Sequence, residues 1–173
     1  MQCISELNSK VKVRNSHTEN DKGNAKFHKN SISCFYVNTR SIVNKLDELA
    51  LYIDEEKPDI IGLTETWLTD DISNNEVGFE GYTIFRKDRN SRVKSRGGGV
   101  MLYVNNKFNS IQIEDLDDDN FPESLWCRLE FEKSKTLIGI YYRPPDSTKI
   151  SEESLFNLFA KVSDKRCSNY RRF

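Results

Sequence analysis

The stretch from Ile32 to Glu65 constrains this chain most, because apolar runs of two different periods follow one another across short joints. Ile32-Ser33-Cys34-Phe35-Tyr36-Val37 reads as a short strand ending at Asn38. From Ser41, the expected N-cap, Val43, Leu46, Leu49, Ala50 and Ile53 recur at the spacing of an amphipathic helix. Pro58 closes that helix, since a residue ahead of proline is pushed away from α geometry. Asp59-Ile60-Ile61-Gly62-Leu63 is then a continuous apolar strand ending near Glu65. Strand, helix and strand with short joints make a βαβ unit, so the two strands should be parallel and buried.

Beyond Glu65 the pattern changes. Four further strands are expected at 82–85, 100–104, 125–131 and 137–142, with Gly- and Asp-rich turns that suit antiparallel pairing. A last helix is expected from Ser151 to Asp164, with Leu155, Leu158, Phe159 and Val162 on one face and Glu152 and Glu153 in its first turn. Parallel and antiparallel pairing in one chain means an α/β (α+β) fold with mixed sheets. The organisation expected is a disordered polar tail over 1–31, a folded unit over 32–164 and a basic end over 165–173. The tail is assigned because Asn8 to Asn30 is rich in Asn, Lys, Ser and Glu and has too little apolar surface to offset chain ordering.

Charge and cysteine content narrow the function. Twenty-six basic and 27 acidic residues leave a net charge of −1, so nucleic acid would have to be held by a local patch. No run nears the roughly 20 apolar residues of a membrane helix, and no secretory h-region opens the chain. No membrane partner is therefore expected. Cys3, Cys34, Cys127 and Cys167 are widely spaced without a C-x-x-C pair, which argues against a zinc or disulfide framework. An intracellular, reducing setting is expected.

Parallel strands end at one sheet edge, and ligands of α/β sheets bind outside that edge. Asn38 and Glu65 therefore offer an amide and a carboxylate that can hold a substrate oxygen and a hard cation; equally, Asn38 can cap its turn and Glu65 can be solvated. Tyr142-Arg143-Pro144-Pro145 also ends a strand, where the phenol and guanidinium can bind phosphate oxygens or the prolines can simply stop the strand. Arg86, Lys87, Arg89, Arg92, Lys94 and Arg96 form a basic run broken by one acid, Asp88, which suits a phosphate backbone or a solvated hairpin loop alike.

Other patterns fail on inspection. Gly97-Gly98-Gly99 lacks the Lys-Ser/Thr of a phosphate loop and precedes a strand, so it reads as close backbone approach. Asp115, Asp117 and Asp119 begin like a calcium loop, but Asn120 and Trp126 stand where glycine and glutamate are needed. No nucleophilic triad can be assembled, because both histidines, His17 and His28, lie in the tail.

Taken in order, Val37-Asn38-Thr39-Arg40-Ser41, the block Pro58 to Leu68 with its Thr64-Glu65-Thr66-Trp67-Leu68 core, Gly97-Gly98-Gly99-Val100 and Tyr142-Arg143-Pro144-Pro145 resemble one family. They look like the apurinic-type endonuclease domain of non-LTR retrotransposons of the jockey kind, in the endonuclease/exonuclease/phosphatase superfamily. The resemblance covers about 32–164. It implies a four-layered α/β sandwich, with Asn38 in a catalytic pocket, Glu65 binding Mg2+ or Mn2+ and Tyr142 contacting the scissile phosphate. The reaction it implies is hydrolysis of a DNA phosphodiester, with DNA as a weak or latent partner, and chromosomal DNA as a target extends the expected location to the nucleus.

The chain departs from the family pattern after 164. The family's Gly-Asp-Phe-Asn strand and its Ser-Asp-His, which supplies the catalytic histidine, are not found before Phe173. The fold expected is thus a truncated, partial sandwich, inactive alone, since losing the group that activates water costs about 10²–10⁴-fold. Two other readings remain: a non-catalytic mobile-element remnant with weak nucleic-acid contact, and a phosphoesterase of the same superfamily.

Overall fold

Ile60, Ile61, Gly62, Leu63 and Thr64 are all buried, as a strand covered on both faces must be. The computed structural model describes residues 11–14, 31–89, 97–116, 121, 123–131, 134–145 and 147–170. In chain order its elements are β1 (Val11–Arg14), β2 (Ser31–Asn38), α1 (Leu46–Glu56), β3 (Ile60–Thr64), β4 (Tyr82–Lys87), β5 (Val100–Asn105), β6 (Asn109–Gln112), β7 (Ser124–Phe131), β8 (Ser134–Tyr141) and α2 (Lys149–Tyr170).

The strands form two sheets, ordered β1-β2-β3-β5-β4 and β6-β7-β8. β2 and β3 are parallel, as the βαβ reading requires, and the remaining pairs are antiparallel. Period-two patterning then sorts the side chains. Phe35, Val37, Ile61, Leu63, Met101 and Tyr103 face α1, where Leu49 and Ile53 meet them. Ile60, Val100, Leu102 and Val104 face the second sheet and pack on Leu125, Cys127, Leu129 and Ile140. The outer face of that sheet meets α2 through Trp126 and Leu158, with Leu116 and Phe121. Helix, sheet, sheet and helix make the four layers, and each fully buried Leu or Ile contributes about 1.5–3 kcal/mol. Gly62 lets the layers approach, for a Cβ there would lie 3.0 Å from Ile140 Cδ1.

Several boundaries differ from the sequence reading. Ser41 does not cap α1. It sits at φ +86, and a 3-10 turn over Val43–Lys45 intervenes before α1 begins at Leu46 without a side-chain cap. The turn rotates Val43 out of the apolar stripe, leaving it 45% exposed. Lys57, in left-handed geometry, closes the helix and donates its N–H to Ile53 O at 2.9 Å.

The segment read as a disordered tail contributes β1, paired antiparallel with β2. Edge pairing needs only main-chain partners, and Val11-Lys12-Val13-Arg14 has the alternation that would have flagged it. β6 was also missed. At the far end α2 runs on to Tyr170, past Asp164 and into the segment read as a basic end. Asp117 and Asp119 lie outside the described residues. Cys34 and Cys127 are free thiols inside the sheets, which burial pushes up to about 11 and about 12; the Asp59 charge adds to the first. No helix among the described residues is long and apolar enough to cross a membrane.

Candidate functional site

Register places Asn38 opposite Thr64 in the parallel pair, so Asn38 and Glu65 leave the sheet at the same edge. The two loops that follow are laced together. Thr39 donates its N–H to Thr64 O at 2.9 Å and its hydroxyl to Thr64 O and Glu65 O. Ser41 N–H and Ile42 N–H donate to Glu65 O and Thr66 O at 2.9 and 3.0 Å. On the other side Trp67 N–H donates to Gly98 O at 3.0 Å. Glu65 is thereby held at φ +56 and Trp67 at φ +57, with Arg40 and Ser41 also at positive φ. Left-handed backbone in non-glycine residues is costly and persists where surrounding bonds over-determine it.

The Gly97-Gly98-Gly99 run is the close approach expected of it. All three have positive φ; a Cβ on Gly97 would lie 3.5 Å from Glu65 Oε2, and one on Gly99 would press on the Thr66 hydroxyl. Glu65 Oε2 accepts from Trp67 Nε1 at 2.5 Å and from Gly98 N at 3.1 Å, and the Tyr142 hydroxyl also bonds the carboxylate. Burial by itself raises the Glu65 carboxyl. The bonds from Trp67, Tyr142 and Gly98, with the Arg89 charge, outweigh that and hold it below the usual carboxylate value. Tyr142 moves the other way: desolvation, its bond to Glu65 and the charges of Glu65 and Glu123 push its phenol up to about 12.

The second sheet supplies the remaining wall. Glu123 is buried; its Oε1 pairs with Arg89 Nε, and its main-chain O accepts Tyr142 N–H at 2.8 Å. The Glu123 bond raises the Arg89 guanidinium above its ordinary value against the opposing pull of desolvation, and the charges of Glu123, Glu65 and Tyr142 act in the same sense as that bond.

Glu65, Tyr142 and Arg89 thus come together from three separate segments, and Asn38 leaves the sheet at the same edge as Glu65. Other candidates sit elsewhere. Arg86 donates to Ile72 O at 2.7 Å, Thr69 O at 2.9 Å and Asp88, which ties it to the 69–74 loop. Lys87 ends β4 opposite Val100, and Arg143 pairs with Glu152 of α2 at 2.5 Å. Arg92, Lys94 and Arg96 lie outside the described residues. Sequence reasoning passed over Trp67, Gly98 and Glu123 as site residues. Trp67 was findable, two positions from Glu65 in the same motif; Glu123, just ahead of β7 of the other sheet, carried no local signal.

The donor set suits a hard cation. Glu65 is an ionised carboxylate, and Asn38 Oδ1 is a buried acceptor without a hydrogen-bond partner among the described residues. Magnesium commonly takes only one or two protein ligands, leaving its other positions to water and phosphate. Among the described residues no group of three or more His, Cys, Asp or Glu is placed to hold a metal. Glu65 and Asn38 are the oxygen donors at this edge that could take such a place.

Two stacked sheets between helices, with Asn38 and Glu65 at the parallel strand ends, define a four-layered α/β sandwich. The chain belongs to the Endonuclease/Exonuclease/phosphatase family, whose model matches residues 35–167. Among solved structures, it is similar to the endonuclease domain of TRAS1, a telomere-specific non-LTR retrotransposon. That match has TM-score 0.56 and 17% identity over 77% of this chain and 52% of that one. The AP endonuclease LMAP from Leishmania major matches with TM-score 0.56 and 17% identity, over 72% of this chain and 46% of that one. The human Nocturnin catalytic domain matches with TM-score 0.52 and 16% identity, over 77% and 59% respectively. The chain spans about half the length of these proteins, and at such identities the likeness is one of fold. No curated protein matches the chain.

Proposed function

We propose that this chain carries the cation- and phosphate-binding part of a DNA endonuclease site of the non-LTR retrotransposon type. What supports the reading is that Asn38 and Glu65 leave the sheet at one edge and that Tyr142, just past β8, bonds Glu65. Glu65, ionised, and Asn38 Oδ1 would hold Mg2+ or Mn2+. Bound there, the cation would polarise a phosphate oxygen and stabilise charge developing on the leaving oxygen. Tyr142, with its proton firmly held, remains a donor at neutral pH and can pass its hydrogen bond from Glu65 to a phosphate oxygen. Arg89 supplies a cation whose charge acts on both Glu65 and Tyr142, and Arg143 lies one residue beyond Tyr142.

Hydrolysis also needs a group that activates water. Both histidines precede β2 and lie outside the described residues. We propose that the chain alone binds DNA without cleaving it, which is where the reading meets that of a non-catalytic remnant. The test is fluorescence anisotropy with a labelled DNA duplex, in Mg2+ and in EDTA. Binding should strengthen with Mg2+ and weaken with salt, and Glu65→Gln should remove the Mg2+ response. Equal binding with and without Mg2+ would sink the cation half. Mg2+-dependent plasmid nicking that disappears in Glu65→Ala would overturn the expectation of no cleavage.

A further inference from the structure

We infer that Glu123 is a positioning residue of this site: from the second sheet it holds the Arg89 guanidinium across Gly98, facing Glu65 and Tyr142, so that Arg89 anchors a phosphate oxygen of the DNA backbone. The phosphate part of this inference rests on the endonuclease reading above.

Glu123 is 5% exposed and makes three separate connections. Its Oε1 takes Arg89 Nε, its main-chain oxygen takes the N–H of Tyr142, and its carboxylate lies against Gly98, whose own N–H donates to Glu65. A Cβ on Gly98 would overlap both Arg89 Nε and Glu123 Oε1. The ion pair and the glycine are therefore fitted to one another. A glutamate whose only task was to neutralise an arginine would have no need to seat it over a main-chain donor that also binds Glu65.

Charge explains why such a holder is needed. Glu65 and Glu123 together carry two negative charges against one on Arg89, so without a cation at Glu65 the cluster does not attract phosphate by charge alone. Phosphate binding beside it requires the guanidinium to be aimed, because charge-assisted bonds of arginine depend on the geometry of its planar fork. The second Glu123 oxygen is buried without a hydrogen-bond partner among the described residues. Removing Arg89 would leave that carboxylate buried and unpaired, a situation proteins avoid.

The sign of one substitution separates positioning from simple electrostatics. Glu123→Gln removes a negative charge, so a purely electrostatic role makes DNA binding tighter. Positioning makes it weaker. In anisotropy with a labelled DNA duplex in Mg2+, we expect Arg89→Gln to weaken binding about tenfold and to make the salt dependence shallower by about one phosphate contact. Glu123→Gln should weaken it several-fold in the wild-type background and add little in Arg89→Gln, because coupled residues are non-additive. Glu123→Asp should recover most of the loss. Tighter binding by Glu123→Gln, or an undiminished loss in the Arg89→Gln background, would overturn the proposal.

A second measurement does not depend on DNA. In 15N-labelled protein, Glu123→Gln should move both the Arg89 Nε–H and Trp67 Nε1–H resonances, while Glu123→Asp leaves the Arg89 proton protected from exchange. Unmoved resonances would refute positioning whatever the DNA results. Moved resonances with no DNA binding by the wild type would refute the endonuclease reading, and Arg89 as phosphate anchor with it, while upholding Glu123 as the residue that holds Arg89.

Discussion

Gly98 donates its N–H to Glu65 Oε2 at 3.1 Å while its Cα lies against the Arg89–Glu123 pair. One residue without a side chain thus lets an acid from the first sheet and an ion pair reaching into the second share a wall.

Gly98→Ala should disturb this junction. The residue sits at φ +75, where an L side chain costs about 1–2 kcal/mol before any contact is counted. Overlap with Arg89 and Glu123 adds to that cost. Thermal unfolding should show a clear fall in Tm, and the Trp67 indole resonance should shift. An unchanged Tm would mean the loop has room that the geometry denies it.

Trp67→Phe should make stability less sensitive to acid. A glutamate held below its usual value contributes stability that is present above the unfolded-state value and lost as pH falls through the folded one. Removing the indole donor brings the two values closer. Urea denaturation at about pH 7 and about pH 4 should therefore show a smaller acid loss in the variant than in the wild type. A larger acid loss would contradict the assigned hydrogen bond.

Tyr142 should titrate late. Its phenol is pushed up to about 12, by desolvation first and then by Glu65 and Glu123. A raised value stabilises the fold below the ordinary tyrosine range and withdraws that contribution as pH climbs toward about 12. Glu65→Gln should bring the titration, followed by 13C-tyrosine NMR, back toward the ordinary value. No movement would remove the Tyr142–Glu65 bond from the site.

Arg86→Ala should loosen the loop at 69–74. The side chain is 14% exposed and ties down Thr69 O and Ile72 O while pairing with Asp88. Hydrogen bonds from a charged donor contribute about 1.5–3 kcal/mol. Hydrogen exchange should quicken across 69–74, with little change in α1. Undisturbed exchange there would show that the loop is held by other contacts.

Much of the frame was legible in the residues. The βαβ unit, the parallel β2–β3 pair and the placing of Asn38 beside Glu65 all followed from period changes between 32 and 65, because such patterns act over neighbouring positions. The start of α1 was less legible. Ser41 has the right chemistry for an N-cap, but hydrogen bonds from the 39–42 loop to Thr64, Glu65 and Thr66 bend the chain into a 3-10 turn first. Those bonds cross from one loop to the next, where local propensity has no sight. The reach of α2 to Tyr170 escaped for a related reason: helix-compatible polar residues carry no apolar stripe to mark it.

By itself, the order of residues determined which segments are strands and helices, which of their faces are apolar, and that an amide and an acid leave the sheet together. Only the packing of the second sheet on the first decided that Tyr142 reaches Glu65, that Glu123 holds Arg89, and that Arg86 from the same basic run is committed to a loop. The reason is distance along the chain: periodicity reports on neighbours a few positions apart, whereas Glu123 and Arg89 are separated by 34 residues and meet only when the layers close.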